Sequence, residues 1–230
     1  MSSATNPYPT TKQFNEACLN PASAFVTSYL KTAKFRQFGP PLLRNFVLQG
    51  RFAAVSRAEL ADGRTLGIRF LKSSQPGLLK RYHTLPKVFI RSNIEDNTVA
   101  VVLKPKELIL PSAKWDLIEM EWVNGQTLST EVKRLLEQGD IRSIRALSED
   151  LQKLAAKMAS AEVSHGDISP ENIMVNDGHL VLVDYDSFWS EELKTLPYNV
   201  GPSKLQHPKA PKNPGKLADR VAFSILKFGF

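Results

Sequence analysis

Ile144, Leu147, Leu151, Leu154 and Met158 recur at alternating steps of three and four. That spacing lays an apolar stripe along one side of a long helix and predicts that this side is buried. A shorter helix is predicted over 130–138, stopped by Gly139, and another over 78–89. Elsewhere the apolar runs are short: 46–48, 53–60, 65–71, 99–103 and 117–123 read as strands, with Ala61-Asp62-Gly63-Arg64 as a tight turn between the second and third. A second hairpin joins 173–175 to 180–183 through Asn176-Asp177-Gly178. Before residue 46 the pattern is helical in short pieces, 14–18 and 25–30, split by Asn20-Pro21 and ended by Gly39-Pro40-Pro41. The expected class is α+β, with a helical appendage at 1–45, a sheet-rich lobe at 46–124 and a helical lobe at 125–230.

Composition narrows this little further. Hydrophobic residues make up 42% and charged residues 23%, which excludes disordered and fibrous classes. No apolar run approaches the roughly 18 residues of a membrane span, and the start lacks the basic and apolar regions of a signal peptide. Cys18 stands alone, so neither an internal disulfide nor a thiolate metal site is expected. These features lead to the expectation of a cytoplasmic protein. The net charge is +7, and much of the surplus lies near the end, where Lys194, Lys204, Lys209, Lys212, Lys216, Arg220 and Lys227 face Asp219 alone. That stretch reads as a solvated, Pro-rich loop, and a nucleic-acid partner is not expected.

The candidate chemistry sits in one polar loop, His165-Gly166-Asp167-Ile168-Ser169-Pro170-Glu171-Asn172, and in Asp184-Tyr185-Asp186, which begins twelve residues after Asn172. The intervening hairpin folds the second cluster back on the first, so Asp167, Asn172 and Asp184 are expected to converge. An amide oxygen and carboxylates are hard ligands that suit Mg²⁺, an ion that recruits substrate phosphates. A carboxylate left free of the metal accepts a proton from a hydroxyl. The set suits phosphoryl transfer from a nucleotide.

The spacing H-x-D-x₄-N followed by an acidic strand end resembles the eukaryotic-type protein kinase superfamily. A bacterial group of kinase-like proteins with H-G-D, D-Y-D and Arg in the third strand is more similar still, and Gln206-His207-Pro208 matches the Q-H-P that follows D-Y-D in that group. The resemblance implies a two-lobed fold binding ATP and Mg²⁺ between its lobes, with a shortened C-terminal lobe. It implies Asp167 as catalytic base, Asn172 and Asp184 as metal ligands, and Arg69, in Leu66-Gly67-Ile68-Arg69, as the phosphate clamp. Gly50, Phe52 and Val55 belong to a phosphate-covering loop with one glycine of the usual three. Met120 becomes the gatekeeper, and the backbone of Glu121 and Val123 meets adenine. Asp219 bonds the backbone of the catalytic loop, and His165 braces that loop.

The sequence also departs from the family. Arg69 replaces lysine, the helix at 78–89 offers no glutamate, Ser169 stands where serine/threonine kinases carry lysine, and Asp186 replaces glycine, where it is expected to cap a turn. The expected activity is transfer of a γ-phosphoryl to a serine or threonine hydroxyl on a protein. Two alternatives stay open: a pseudokinase that binds nucleotide without efficient transfer, and a small-molecule kinase. The apolar ending, Phe223, Ile225, Leu226, Phe228 and Phe230, is expected to dock on the lobe or on a partner.

Overall fold

The computed structural model describes residues 8–39, 45–50, 52–73, 76–196, 219, 222–224 and 226. Most of the basic stretch after Lys194 and the Gln206-His207-Pro208 motif lie outside these residues. The fold is α+β, and the chain divides into two compact units, residues 1–76 with 101–122, and residues 77–100 with 123–230. The helix at 78–89, expected within the sheet-rich lobe, therefore clusters with the second unit.

The first unit is built on an antiparallel sheet. Its strands are β1 (Lys34–Phe35), β2 (Leu48–Gln49), β3 (Ala53–Glu59), β4 (Thr65–Leu71), β5 (Val101–Leu110) and β6 (Ala113–Glu121), ordered β1-β3-β4-β6-β5 with β2 also on β3. Ahead of the sheet run α1 (Thr11–Leu19), α2 (Pro21–Ala24) and α3 (Ser28–Lys31). A reciprocal capping box starts α1: Gln13 N–H donates to the Thr10 hydroxyl and Thr10 N–H to Gln13 Oε1. Pro21 at the first position of α2 forces a fresh start.

These helices are not a separate appendage. Phe14, Phe25 and Leu30 are fully buried in one core with Ala54, Ile68, Phe70, Leu108 and Leu117 of the sheet, and Phe14 stacks on Phe70 with ring centroids 4.8 Å apart. Two buried glutamates fasten the same segment. The Glu107 carboxylate accepts from Val26 N–H (3.0 Å), Thr27 N–H (2.7 Å) and the Thr27 hydroxyl (2.8 Å). Glu119 accepts from the Tyr29 hydroxyl at 2.7 Å, and Lys104 Nζ donates to that hydroxyl at 2.8 Å.

Burial raises the Glu119 carboxyl above its ordinary range, against the opposing pull of Tyr29 and Lys104. A raised acid binds its proton more tightly in the folded chain than in the unfolded one. Its contribution to stability therefore falls as pH rises from the ordinary glutamate value through the raised one. Glu119→Gln is expected to remove that decline from a plot of Tm against pH; an unchanged slope in the variant would show that another group causes it.

The second unit holds α4 (Leu78–Arg91), β7 (Gln126–Thr127), α5 (Leu128–Gln138), α6 (Ile141–Ser160), β8 (Ile173–Asn176) and β9 (His179–Leu182), with a three-stranded sheet ordered β7-β8-β9. The Thr127 hydroxyl caps α5, and Gly139 ends it at φ 69°. The Asp140 carboxylate caps α6 by accepting from Ser143 N–H at 3.0 Å. The predicted stripe of α6 is buried at Leu147, Leu151, Leu154 and Met158. At Gly125 an added Cβ would lie 2.2 Å from the Val175 carbonyl oxygen, so only glycine lets the chain approach β8 this closely. Ala222, Phe223 and Leu226 are buried in the apolar ending; Ile225, Phe228 and Phe230 lie outside the described residues. Among the described residues, no helix is long and apolar enough to cross a membrane.

Candidate active site

Strand alternation sorts the sheet residues of the first unit by face. Leu66, Ile68 and Phe70 of β4 pack toward the N-terminal helices, so Gly67, Arg69 and Leu71 take the opposite face. Register extends that face across the sheet: Val55 pairs with Arg69, Arg57 with Gly67, and Gly67 with Met120. Three residues expected to meet a nucleotide, Val55, Arg69 and Met120, thus share one sheet face. Arg69 is buried, whereas Val55 and Met120 are half-buried. A Cβ on Gly67 would stand 2.9 Å from Met120 Cγ, so the absence of a side chain there lets Met120 lie against the strand. Trp122 neighbours the same spot, and the Arg57 guanidinium sits 5.6 Å from its ring centroid.

Gly50 and Phe52 lie in the turn that joins β2 to β3. Gly50 N–H donates to the Ala53 carbonyl at 2.9 Å, and Lys72 Nζ donates to the Gly50 carbonyl at 3.0 Å. Both residues are exposed, as is Glu121 at the end of β6, while Val123 is half-buried at the start of the second unit.

In the second unit the polar loop and the strand end are joined by hydrogen bonds. Asn172 Nδ2 donates to the Asp167 carbonyl at 2.8 Å and to Asp167 Oδ2 at 3.2 Å. Its backbone carbonyl accepts from Val183 N–H at 3.0 Å, which locks the loop to the residue before Asp184. The β8–β9 hairpin makes this return possible: Asn176 pairs with His179 across Asp177 (φ 49°) and Gly178 (φ 80°), a primed turn that follows the twist of the strands. Asp184 is exposed and holds a left-handed backbone, φ 65°, a conformation that costs an aspartate energy and must be supported by its neighbours.

His165 is fully buried beneath the loop, and its Nε2 lies 2.9 Å from the Val183 carbonyl, which requires the proton on Nε2. The Asp219 carboxylate accepts from the consecutive N–H groups of His165 and Gly166. Burial pushes Asp219 up, against His165 and these two donors. Burial likewise raises Asp167. His165 and the Asn172 hydrogen bond pull it back, and the negative charge of Asp184 adds to the rise. A half-buried carboxylate that feels the charge of an exposed one suits a proton acceptor beside a divalent cation.

Among the described residues, no group of three or more His, Cys, Asp or Glu forms a metal cage. The donor set of Asp184 and Asn172, whose amide nitrogen is committed to Asp167, instead fits an ion that keeps waters and shares substrate oxygens, as Mg²⁺ does. Sequence reasoning missed two residues at this site, Tyr82 and Arg81. Asp186, expected to cap a turn, receives the Tyr82 hydroxyl at 2.9 Å, and buried Arg81 donates to the Phe188 carbonyl. Nothing in the apolar stripe of α4 signals either bond. A cavity of ≈ 360 Å³ lies elsewhere in this unit, lined by Leu151, Ala155, Met158, Val163 and Phe223 among others; Asp167, Asn172 and Asp184 do not border it.

No protein-family model matches the chain, and no curated protein matches its sequence.

Proposed function

We propose that the protein is an ATP–Mg²⁺-dependent phosphotransferase of protein-kinase-like, two-lobed architecture that phosphorylates a hydroxyl, on a serine or threonine of a protein. One observation carries the reading: Asn172 bonds Asp167 and Val183 together, and so joins a candidate base to a candidate metal ligand in one loop. Mg²⁺, held by Asp184 and Asn172 Oδ1, would neutralise charge on the phosphates. Asp167 orients the acceptor hydroxyl and takes its proton. The hydroxyl oxygen bonds the γ-phosphorus, the bond from that phosphorus to the bridging oxygen breaks, and ADP leaves. Arg69 holds the phosphates, a task for which its planar fork is suited. Val55 and Met120 line the adenine on the sheet face they share with Arg69.

The test is incubation with γ-labelled ATP and Mg²⁺, alone and with a protein acceptor, beside Asp167→Ala. Label transferred by the wild type and absent from the variant is expected. ATP-dependent thermal stabilisation without transfer would assign the chain to the pseudokinase alternative, which Ser169 and the acid-free α4 favour. Transfer to small alcohols or aminoglycosides, but not to protein, would make it a small-molecule kinase.

A further inference from the structure

The helix α4 runs Leu78-Leu79-Lys80-Arg81-Tyr82-His83-Thr84-Leu85-Pro86-Lys87-Val88-Phe89-Ile90-Arg91 and contains no carboxylate that could pair with Arg69. Three of its buried side chains, Arg81, Tyr82 and Phe89, meet the segment that follows Asp184 instead. The Tyr82 hydroxyl donates to Asp186 Oδ1 at 2.9 Å. Arg81 donates to the Phe188 carbonyl. Phe89 meets Tyr185 edge to face at 4.9 Å and Phe188 at 5.4 Å. Tyr185 is itself fixed, because its hydroxyl donates to the Leu182 carbonyl and accepts from Val99 N–H. Asp184 thus has a left-handed backbone clamped on both sides, by the Asn172–Val183 bond before it and by α4 after it. A strained conformation persists only where its surroundings over-determine it.

We propose that α4 is the element that positions Asp184 for metal, acting through the Tyr82–Asp186 hydrogen bond, and that Tyr82 is a positioning residue of this site. The inference rests on the phosphotransferase reading for the identity of what Asp184 holds, but not for the bond itself. Tyr82 acts on the site through Asp186. It restrains the carboxylate two residues beyond Asp184, and so narrows the directions in which the Asp184 side chain projects.

Tyr82→Phe keeps the ring and removes the hydroxyl. In the full chain without ligand, hydrogen exchange of the amides of residues 184–188 is expected to quicken about five-fold, while exchange in α6 stays unchanged. Calorimetric titration with ATP, in the absence and presence of Mg²⁺, supplies the second reading. The enhancement of ATP affinity by Mg²⁺ is expected to fall about ten-fold, and the metal-free affinity to stay as in the wild type. Unchanged exchange at 184–188 overturns the proposal, as does faster exchange with an intact Mg²⁺ enhancement. If the wild type shows no Mg²⁺-dependent ATP binding, the phosphotransferase reading fails, while exchange alone still decides whether Tyr82 holds the segment. Should Tyr82→Phe not fold, Asp186→Ala removes the same bond from its half-buried end and is judged by the same two measurements.

Discussion

Asp184→Asn is expected to abolish Mg²⁺-dependent transfer while leaving the fold intact. Asparagine tolerates the left-handed backbone that residue 184 adopts at φ 65° as well as aspartate does, so the substitution removes charge with little added strain. The residue is exposed, so the change does not disturb packing in the core. A bound metal contributes several kcal/mol to stabilising the transferring phosphoryl, and each 1.36 kcal/mol is a factor of ten in rate. A loss on the order of a thousand-fold in label transfer follows, with Tm within a few degrees of the wild type. An unchanged rate would remove Asp184 from the site and the phosphotransferase reading with it.

The second large effect is on stability. Asp219→Ala withdraws the acceptor of two consecutive N–H groups, those of His165 and Gly166, from a buried place. An unsatisfied buried donor costs about 1–3 kcal/mol, so the pair costs about 2–6 kcal/mol. For a chain of this size even the lower figure reduces Tm by about 4–8 °C. The loss is concentrated in the polar loop, so hydrogen exchange at 165–172 should rise even where the rest of the second unit stays protected. Thermal unfolding of the variant within 2 °C of the wild type would mean that the loop is held by something other than this carboxylate.

How much of this was legible in the sequence depends on where each residue's partners lie. The strand at 65–71 was read to the residue, because Asp62-Gly63 marks the turn and the apolar positions alternate after it. Gly139 likewise announced the end of α5. The second half of β5 was missed, and so was the start of β6. The run Lys104-Pro105-Lys106-Glu107 looks like a loop, and the strand shifts register there, with Lys106 at φ 52°. Glu107 is polar in sequence yet buried, because Val26 and Thr27 supply its donors from 80 residues away or more. The same blindness made residues 1–45 read as an appendage: Phe14, Phe25 and Leu30 look like the apolar faces of short helices, and only the fold shows them at the centre of the sheet's core. In the candidate site, Asp167, Asn172 and Asp184 were legible because one loop and one hairpin carry them. Tyr82 and Arg81 were not, since their partners are 104 and 107 residues further along the chain.

That separation bears on how the protein is made. The chain crosses from one unit to the other after residues 76, 100 and 122, so neither unit is a continuous stretch. During synthesis α4 emerges well before Tyr185, Asp186 and Phe188 exist to receive it, and the sheet of the first unit lacks β5 and β6 until α4 has already passed. Contacts this distant in sequence fold slowly, because loop closure precedes the reward of packing. Until residue 188 has left the ribosome, the buried face of α4 has only part of its cover, and Tyr82, Leu85 and Phe89 are the surface on which a nascent chain would aggregate. A fragment starting at residue 123 exposes the other side of that contact: it keeps the loop and the hairpin but discards the helix against which Tyr185 and Phe188 close.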